Sequence, residues 1–316
     1  NQKCFTKCSS RSFKKSTQLM PSYYSHGKLL ISCEYAVLDG AKALALPTKL
    51  GQRLDVSKKY TKNIHWKSLD YQNKLWFETT LSIPNFEPSL VNPITRRLSQ
   101  CFVAIQKLQP KLFENQEGIE FISYLEFPQN WGLGSSSTLI NNLAKWAKVD
   151  AYKLLAATFG GSGYDIACAQ HSSPITFQKK LKSLKIEKVV FNPPFKEQLF
   201  FVHLNQKQDS RKAIANYKAI KNFQKLNFNL LNTLTEDILK SCKLEDFENL
   251  ITKHELLIAK LTQQIPLKIS HFPDYKGAIK SLGAWGGDFF LATGSDHLYF
   301  KNKGYNTIIP YNEMVL

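Results

Sequence analysis

Residues 119–147 read IEFISYLEFPQNWGLGSSSTLINNLAKWA, and three patterns follow one another within them. From Ile119 to Pro128 apolar and polar residues alternate, with Phe121, Leu125 and Phe127 on one face, which predicts a β-strand. Gln129-Asn130-Trp131 then leads into Gly132-Leu133-Gly134-Ser135-Ser136-Ser137, a loop composition. In the next segment Leu139, Ile140, Leu143, Ala144 and Ala147 fall on one helical face. Strand, Gly/Ser loop and helix in this order predict an α/β chain and place the loop at a helix N-terminus. Unpaired N–H groups and the positive end of the helix dipole favour an anion there. Gly132 and Gly134 let the backbone approach a ligand closely, and the Ser135, Ser136 and Ser137 hydroxyls can donate to phosphate or ligate Mg²⁺. A Ser-capped structural turn has the same composition. Neither GxxxxGK[ST] nor GxGxxG is present.

Toward the amino terminus, Lys28–Leu38 (KLLISCEYAVL) is an apolar run closed by Asp39-Gly40, and Ala43–Leu46 is a second run ending at Pro47, which predicts a hairpin or a strand leading directly into a partner. Residues 51–90, with Trp66 and Trp76, read as strands. Residues 94–113 place Ile94, Leu98, Phe102, Ile105 and Leu108 at helical spacing until Pro110 intervenes. Downstream, residues 160–170 (GGSGYDIACAQ) form a second glycine-rich loop before an apolar segment. Asp165 in this loop is either an Asx-turn or helix cap, or a carboxylate aimed at the acceptor hydroxyl of a phosphoryl transfer. Lys28 is a solvated surface lysine on the structural reading. On the functional one it is the cation that keeps Asp165 ionised and neutralises charge on the transferring phosphoryl. A boundary is expected near Asn192-Pro193-Pro194, followed by a strand at 199–204. Residues 211–264 are mostly helical, with stripes that include Tyr217, Leu250, Leu256 and Leu261. After Pro273 a short helix, a third glycine turn at Gly283–Gly287 joining helix to strand, the strand DFFLATG and a final strand pair are expected.

The 316 residues suit one large domain or two of ordinary size, and 43% hydrophobic residues can build a core, which excludes wholesale disorder. No run of 18 apolar residues occurs, so no transmembrane helix and no membrane partner are expected. With 42 Lys+Arg against 25 Asp+Glu the net charge is +17, which favours anionic partners. Five of the positive charges (Lys3, Lys7, Arg11, Lys14, Lys15) lie in residues 1–19, a Ser-rich stretch without an acid. That stretch reads as a transit-like extension or as translation upstream of a natural start at Met20, and in either case as separate from the fold. The six cysteines include no CxxC and the seven histidines no HxxxH, so reduced thiols in a cytoplasmic protein are expected and a zinc site is not. His171 and His254 are expected as surface or capping residues. Phe121, Phe127, Phe200 and Phe201 lie in strand-like runs and read as core rather than as RNA-stacking platforms, and no nucleic-acid motif is present.

In conjunction these segments resemble the GHMP small-molecule kinases, whose members include galactokinase, homoserine kinase, mevalonate kinase and phosphomevalonate kinase. Gly27-Lys28 followed by Glu34-Tyr35-Ala36-Val37-Leu38-Asp39-Gly40 matches the first motif of that family. Pro128 through Ser136 matches the second, and Gly283-Ala284-Trp285-Gly286-Gly287-Asp288 the third, in family order from about residue 24 to the end. Gly161-Ser162-Gly163-Tyr164-Asp165 looks like the element that carries the catalytic Asp in the mevalonate-pathway branch. The glycine before Ser162, and Asp288, look more like phosphomevalonate kinase.

The resemblance implies an α/β (α+β) fold of two domains. One is like ribosomal protein S5 domain 2 (residues 20–195) and binds ATP; the other is ferredoxin-like (196–316); the site lies between them. It further implies a kinase that uses ATP and Mg²⁺ on a small-molecule substrate, phosphomevalonate first, with mevalonate, or nucleotide binding without catalysis, as the alternatives. Gly132, Leu133, Gly134, Ser135, Ser136 and Ser137 would bind the ATP phosphates, with Ser136 on the metal. Asp165 and Lys28 would be catalytic; Glu34, Ser162 and Gly163 would lie on the substrate side. Gly283, Ala284, Gly286, Gly287 and Asp288 would brace the site. A homodimer is the default for such an enzyme. Three positions depart from the pattern: His26 stands where Pro is usual, Trp285 where a small glycine is usual, and Leu154 where mevalonate kinase has a metal-ligating Glu. Asp150 is the nearest carboxylate that could replace that Glu.

Overall fold

The computed structural model describes residues 20–114, 117–181, 183–208, 210–221 and 228–316. The basic segment 1–19 lies outside the described residues. The chain begins with strand β1 (Ser22–Leu30), paired antiparallel with β2 (Ala43–Lys59). β1 stops eight residues before the end of the apolar run expected to form it. Cys33 and Tyr35 take φ +61°, and Ala36–Asp39 coil into a 3₁₀ turn. These residues are almost all buried, so they show no polar–apolar period that would separate a strand from a buried loop. Pro47, expected to end the second run, sits inside β2 opposite Lys28. There β1 has a bulge between His26 and Lys28, and the ladder needs no N–H.

There follow β3 (Asn63–Leu69), β4 (Leu75–Ser82), α1 (Pro93–Leu108), β5 (Gly118–Leu125), α2 (Ser135–Ala147), α3 (Ala151–Thr158), α4 (Tyr164–Gln170), β6 (Ile175–Lys179) and β7 (Leu184–Lys188). The strands form one sheet in the order β4-β3-β5-β2-β6-β7, with β1 also on β2, and only β3–β5 is parallel. Asn92 starts α1 through a capping box with Thr95, and Asp150 caps α3 by accepting from the Tyr152 and Lys153 N–H groups. On α1 Leu98, Phe102 and Ile105 are buried as expected, whereas Ile94 is exposed. Trp66 and Phe121 stack at 5.4 Å in the core beneath.

The second half contains β8 (Leu199–His203), α5 (Ser210–Lys221), α6 (Phe228–Lys240), α7 (Leu244–Thr262), α8 (Leu267–His271), β9 (Ile279–Ser281), β10 (Phe289–Thr293), α9 (His297–Asn302), β11 (Ile308–Pro310) and α10 (Tyr311–Met314). Its strands form an antiparallel sheet in the order β11-β8-β10-β9. Three expectations are corrected here. The short helix precedes Pro273, the third glycine turn joins strand β9 to strand β10, and the final strand pair is a helix, one strand and a last helical turn. Elements of three to six residues are too short to display a period. On α7 Leu261 is buried but Leu256 faces solvent. Phe121, Phe127, Phe200 and Phe201 are all core. The carboxyl end returns to the first sheet, where Val315 bridges Thr48 and the Leu316 N–H donates to Pro47 O at 3.1 Å.

A buried polar network fixes α2 on the first sheet. The Asn142 side chain accepts from Ser25 Oγ (2.7 Å) and donates to Gln52 O (2.8 Å). Asn141 donates to Ser25 Oγ and to Ala169 O, and Thr138 Oγ1 donates to Gln52 Oε1. Each satisfied bond contributes about 1 kcal/mol, and together they tie the start of α2 to β1, β2 and α4. That start is the end of the GLGSSS loop.

Candidate active site

The loop before α2 is stitched to β1: the Lys28 N–H donates to Leu133 O at 3.0 Å, and the Leu133 side chain is buried. Gly134, the N-cap of α2, takes φ +89°, and the Lys28 stem fills the space a side chain there would need. The Ser137 and Thr138 N–H groups both donate to Gly134 O. The N–H groups of Ser135 and Ser136 and the hydroxyls of Ser135, Ser136 and Ser137 bond to no other described residue. This cradle offers donors and positive potential to an anion.

In the second loop Gly163 caps α4 at φ +95°, so Asp165 sits in the first turn of that helix, packed beside β1. Ser162 is buried behind it, with the Tyr164 N–H near its Oγ at 3.4 Å. The outcome is that Lys28 Nζ stands 3.6 Å from Asp165 Oδ1, with side chains 14% and 25% exposed. Both are sheltered yet reachable. Burial alone would lower the Lys28 pKa, but Tyr164, Asp165 and Asp288 outweigh it and hold the ammonium above its ordinary value.

The third loop closes against the other two. A Cβ built on Gly132 would overlap the Asp288 carboxylate, so the first glycine of one loop is the seat for the last residue of another. Asp288 itself has φ +58°, and burial raises its carboxyl despite Lys28, the Gln208 N–H and Lys207 nearby. Residues 205–208 latch the loop. Gln208 Nε2 donates to Trp285 O and Gln206 Nε2 to Gly286 O, each at 2.6 Å, and Lys207 reaches Gln129 O at 3.0 Å. Trp285 is turned inward and packs with Tyr35, Tyr164 and Tyr217 in one core cluster. Its bulk therefore stays out of the crevice lined by Lys28, Gly132, Gly283 and Asp288.

Glu34 is fully buried and ion-paired with Lys280, itself 0% exposed. Lys280 also pairs with Glu255 at 3.1 Å, and Glu255 accepts from the Ser281 N–H and hydroxyl. His254 is buried as well, not on the surface as expected, and its Nε2 accepts the Cys33 N–H at 2.9 Å. The group ties the end of the first motif to α7 and to the strand before the third loop. Burial pushes the Glu34 carboxyl up, against the pull of Lys280, to about 7, and pushes the His254 imidazole down. Sequence reasoning missed Lys280, Glu255 and His254. A lysine inside the apolar stretch AIKSL was the one available signal. His171 does cap: its Nδ1 bonds Ala167 O at the end of α4.

Leu154 is a core residue of α3, and Asp150 is engaged in capping that helix. No group of three His, Cys, Asp or Glu able to hold a metal occurs among the described residues. Mg²⁺ that arrives on a nucleotide needs only one or two protein oxygens beside phosphates and water, and the Ser136 hydroxyl, bonded to no other described residue, suits that donor set. A cleft of about 570 Å³ lies elsewhere, between Pro174, Val190, Phe191, Lys196 and Tyr311, and contains none of the motif residues.

By sequence, neither a protein-family model nor a curated protein matches the chain. By structure, mevalonate kinase of Methanococcus jannaschii aligns with a TM-score of 0.68 at 18% identity, covering 93% of this chain and 98% of that one. Phosphomevalonate kinase of Streptococcus pneumoniae, solved with phosphomevalonate and AMPPNP, aligns at 0.66 and 17%, covering 92% and 99%. Galactokinase of Lactococcus lactis, solved with galactose, aligns at 0.68 and 12%, covering 93% and 94%. The chain has the fold of the GHMP kinases. Within that fold the three motif loops converge on Lys28, and two of them supply the carboxylates, Asp165 and Asp288, that flank it. No helix among the described residues is long and apolar enough to cross a membrane.

Proposed function

We propose that this protein is an ATP-dependent small-molecule kinase of the mevalonate-pathway branch, acting on phosphomevalonate in the cytoplasm. The observation that carries the reading is the sheltered Lys28–Asp165 pair, 3.6 Å apart, beside the N-terminal cradle of α2. The GHMP fold of the chain supports it. On this reading residues 20–195 and 196–316 are the two domains, and the site lies where the third loop of the second meets the first.

The cradle of Gly132–Ser137 binds the nucleotide phosphates through N–H groups and hydroxyls, and Ser136 is the residue that would hold Mg²⁺. When bound, Mg²⁺ supplies charge neutralisation at the β- and γ-phosphate oxygens. The acceptor oxygen attacks the γ-phosphorus, a new O–P bond forms, the bond to the β–γ bridging oxygen breaks, and ADP leaves with that electron pair. Lys28 stabilises the charge on the equatorial oxygens. With phosphomevalonate the nucleophile is a phosphate oxygen whose second pKa is about 6, so Asp165 has little proton to take and acts chiefly to orient the acceptor. With mevalonate the nucleophile is an alcohol, and Asp165 takes its proton. A carboxylate placed as a base is the observation that favours this second reading. The basic charge balance and Asp288 favour the first.

The test is ADP release by the full chain with Mg²⁺-ATP, offering phosphomevalonate, mevalonate, diphosphomevalonate, galactose and homoserine in parallel. Turnover on phosphomevalonate alone is the expected result. Turnover on mevalonate alone would select the second reading. Silence on all five with ATP still bound would point to nucleotide binding without this catalysis.

A further inference from the structure

The cleft that contains none of the motif residues is bounded by both halves of the chain. Its walls are Lys49 on β2, Pro174 before β6, Val190 and Phe191 after β7, Lys196 before β8, and the last helical turn, α10. Three links across the seam hold this shape. Tyr311 Oη donates to Phe191 O at 2.9 Å, Lys49 Nζ donates to Asn312 O, and Val315 bridges Thr48. The volume, about 570 Å³, is that of a small-molecule site, and such sites gather where structural units meet.

The lining is one-sided in charge. Lys49 and Lys196 both belong to it, and it includes no acidic side chain. Among the described residues the two ammoniums bond neutral oxygens, Asn312 O and Asn192 Oδ1, and neither has an ion-pair partner. A neutral oxygen orients an ammonium but leaves its charge uncompensated. Beside these cations the surface is apolar. Phe191, Tyr311 and Val315 are buried along it, while Val190 is 85% exposed and covered by nothing. Two uncompensated cations over open apolar surface are complementary to an anion that carries an apolar body. We propose that this cleft is a second binding site, separate from the crevice at Lys28, for a small organic anion with an aromatic or aliphatic body. Lys49 and Lys196 supply the charge partners, and the body lies on Val190, Phe191 and Val315. The site does not involve Lys28, Asp165 or the glycine loops, so it stands or falls independently of the proposed reaction.

Isothermal titration calorimetry of the full chain with 1-naphthoate is the test. Acetate, the charge without the body, and 1-naphthylmethanol, the body without the charge, are the controls. Naphthoate should bind with a dissociation constant of about 1 mM or tighter, the ordinary efficiency of a ligand of its size. It should bind at least about tenfold more tightly than either control. Lys49→Met and Lys196→Met should each weaken it at least about twofold, and Lys196→Arg should not. Val190→Asp should weaken it at least about fivefold, by repulsion and by loss of apolar surface. Lys28→Met should leave it unchanged. Absence of binding, or a control that binds as tightly as naphthoate, would overturn the proposal. So would an affinity unmoved by Lys196→Met and Val190→Asp, or one lost in Lys28→Met, which would put the molecule among the motif loops. Val190 is exposed and Lys196 bonds only a side-chain oxygen, so thermal melts of these two variants should match the wild type and separate loss of the site from loss of the fold.

Discussion

Asp288 seats its carboxylate on Gly132, so the last residue of the third glycine loop occupies the space that a side chain at the first glycine of the first loop would need. Gly132 also has φ +66°. Gly132→Ala must therefore both displace Asp288 and hold a strained backbone, at a cost of about 1–3 kcal/mol. A lowered melting temperature and at least about tenfold weaker ATP binding are expected, since the cradle and Asp288 move together. Adding Asp288→Gly to that variant should recover part of both losses. Additive losses in the double variant would show that the two residues are not coupled.

Lys28 is both a charge and a spacer: its stem packs on Gly134 and its ammonium faces Asp165. Lys28→Met keeps most of the stem and removes the charge. The expected effect is a fall in kcat on the order of 10²–10³, as for other lost transition-state donors, with a smaller change in melting temperature. A variant with near wild-type kcat would remove Lys28 from the chemistry.

Leu154, at the position where the resemblance would put a metal-ligating Glu, is fully buried in the core of the first sheet and its helices. Leu154→Ala should cost about 2–5 kcal/mol in urea unfolding, the range for a leucine deleted from a packed core. The Mg²⁺ concentration needed for half-maximal ATP binding should not move. A shift in that requirement with little loss of stability would give α3 a role in the metal site.

His254 accepts a backbone N–H through Nε2 and is buried, which keeps it neutral in the fold. The sign follows from proton counts. Below the ordinary histidine value of 6.5 the unfolded chain binds a proton that the native chain does not, so stability falls with falling pH in that window. His254→Gln can still accept the Cys33 N–H and cannot titrate. Melting temperatures of wild type and variant between pH 8 and pH 5 should show a steeper acid loss in the wild type. Parallel curves would mean that His254 is protonated in the native state.

The central layout of the fold was legible in the strand, loop and helix of residues 119–147, because alternation, glycine spacing and a helical stripe each leave a local mark. The glycine loops were legible for the same reason, whereas Lys28 and Asp165, far apart in sequence, were paired only through the phosphoryl-transfer reading and the family resemblance. Local marks fail elsewhere. The end of β1 at Leu30 is set by positive φ at Cys33 and Tyr35, inside a run buried on all sides. Lys280 lies 246 residues from Glu34, and a partner so distant has no signature at either end. His254 looks like a surface residue between Lys253 and Glu255, yet the packing of α7 buries it.

Asp165→Asn is the most direct test of the reaction proposed for the Lys28–Asp165 pair, with turnover and ATP affinity measured on the same preparation. Asparagine keeps the shape of the side chain and removes its charge and its ability to take a proton. Turnover of the accepted substrate should fall by about a hundredfold or more, while ATP affinity stays within about twofold, since the phosphates rest on the cradle of α2. Undiminished turnover, or an equal loss of ATP binding, would contradict the placement of Asp165 on the acceptor side of the transfer.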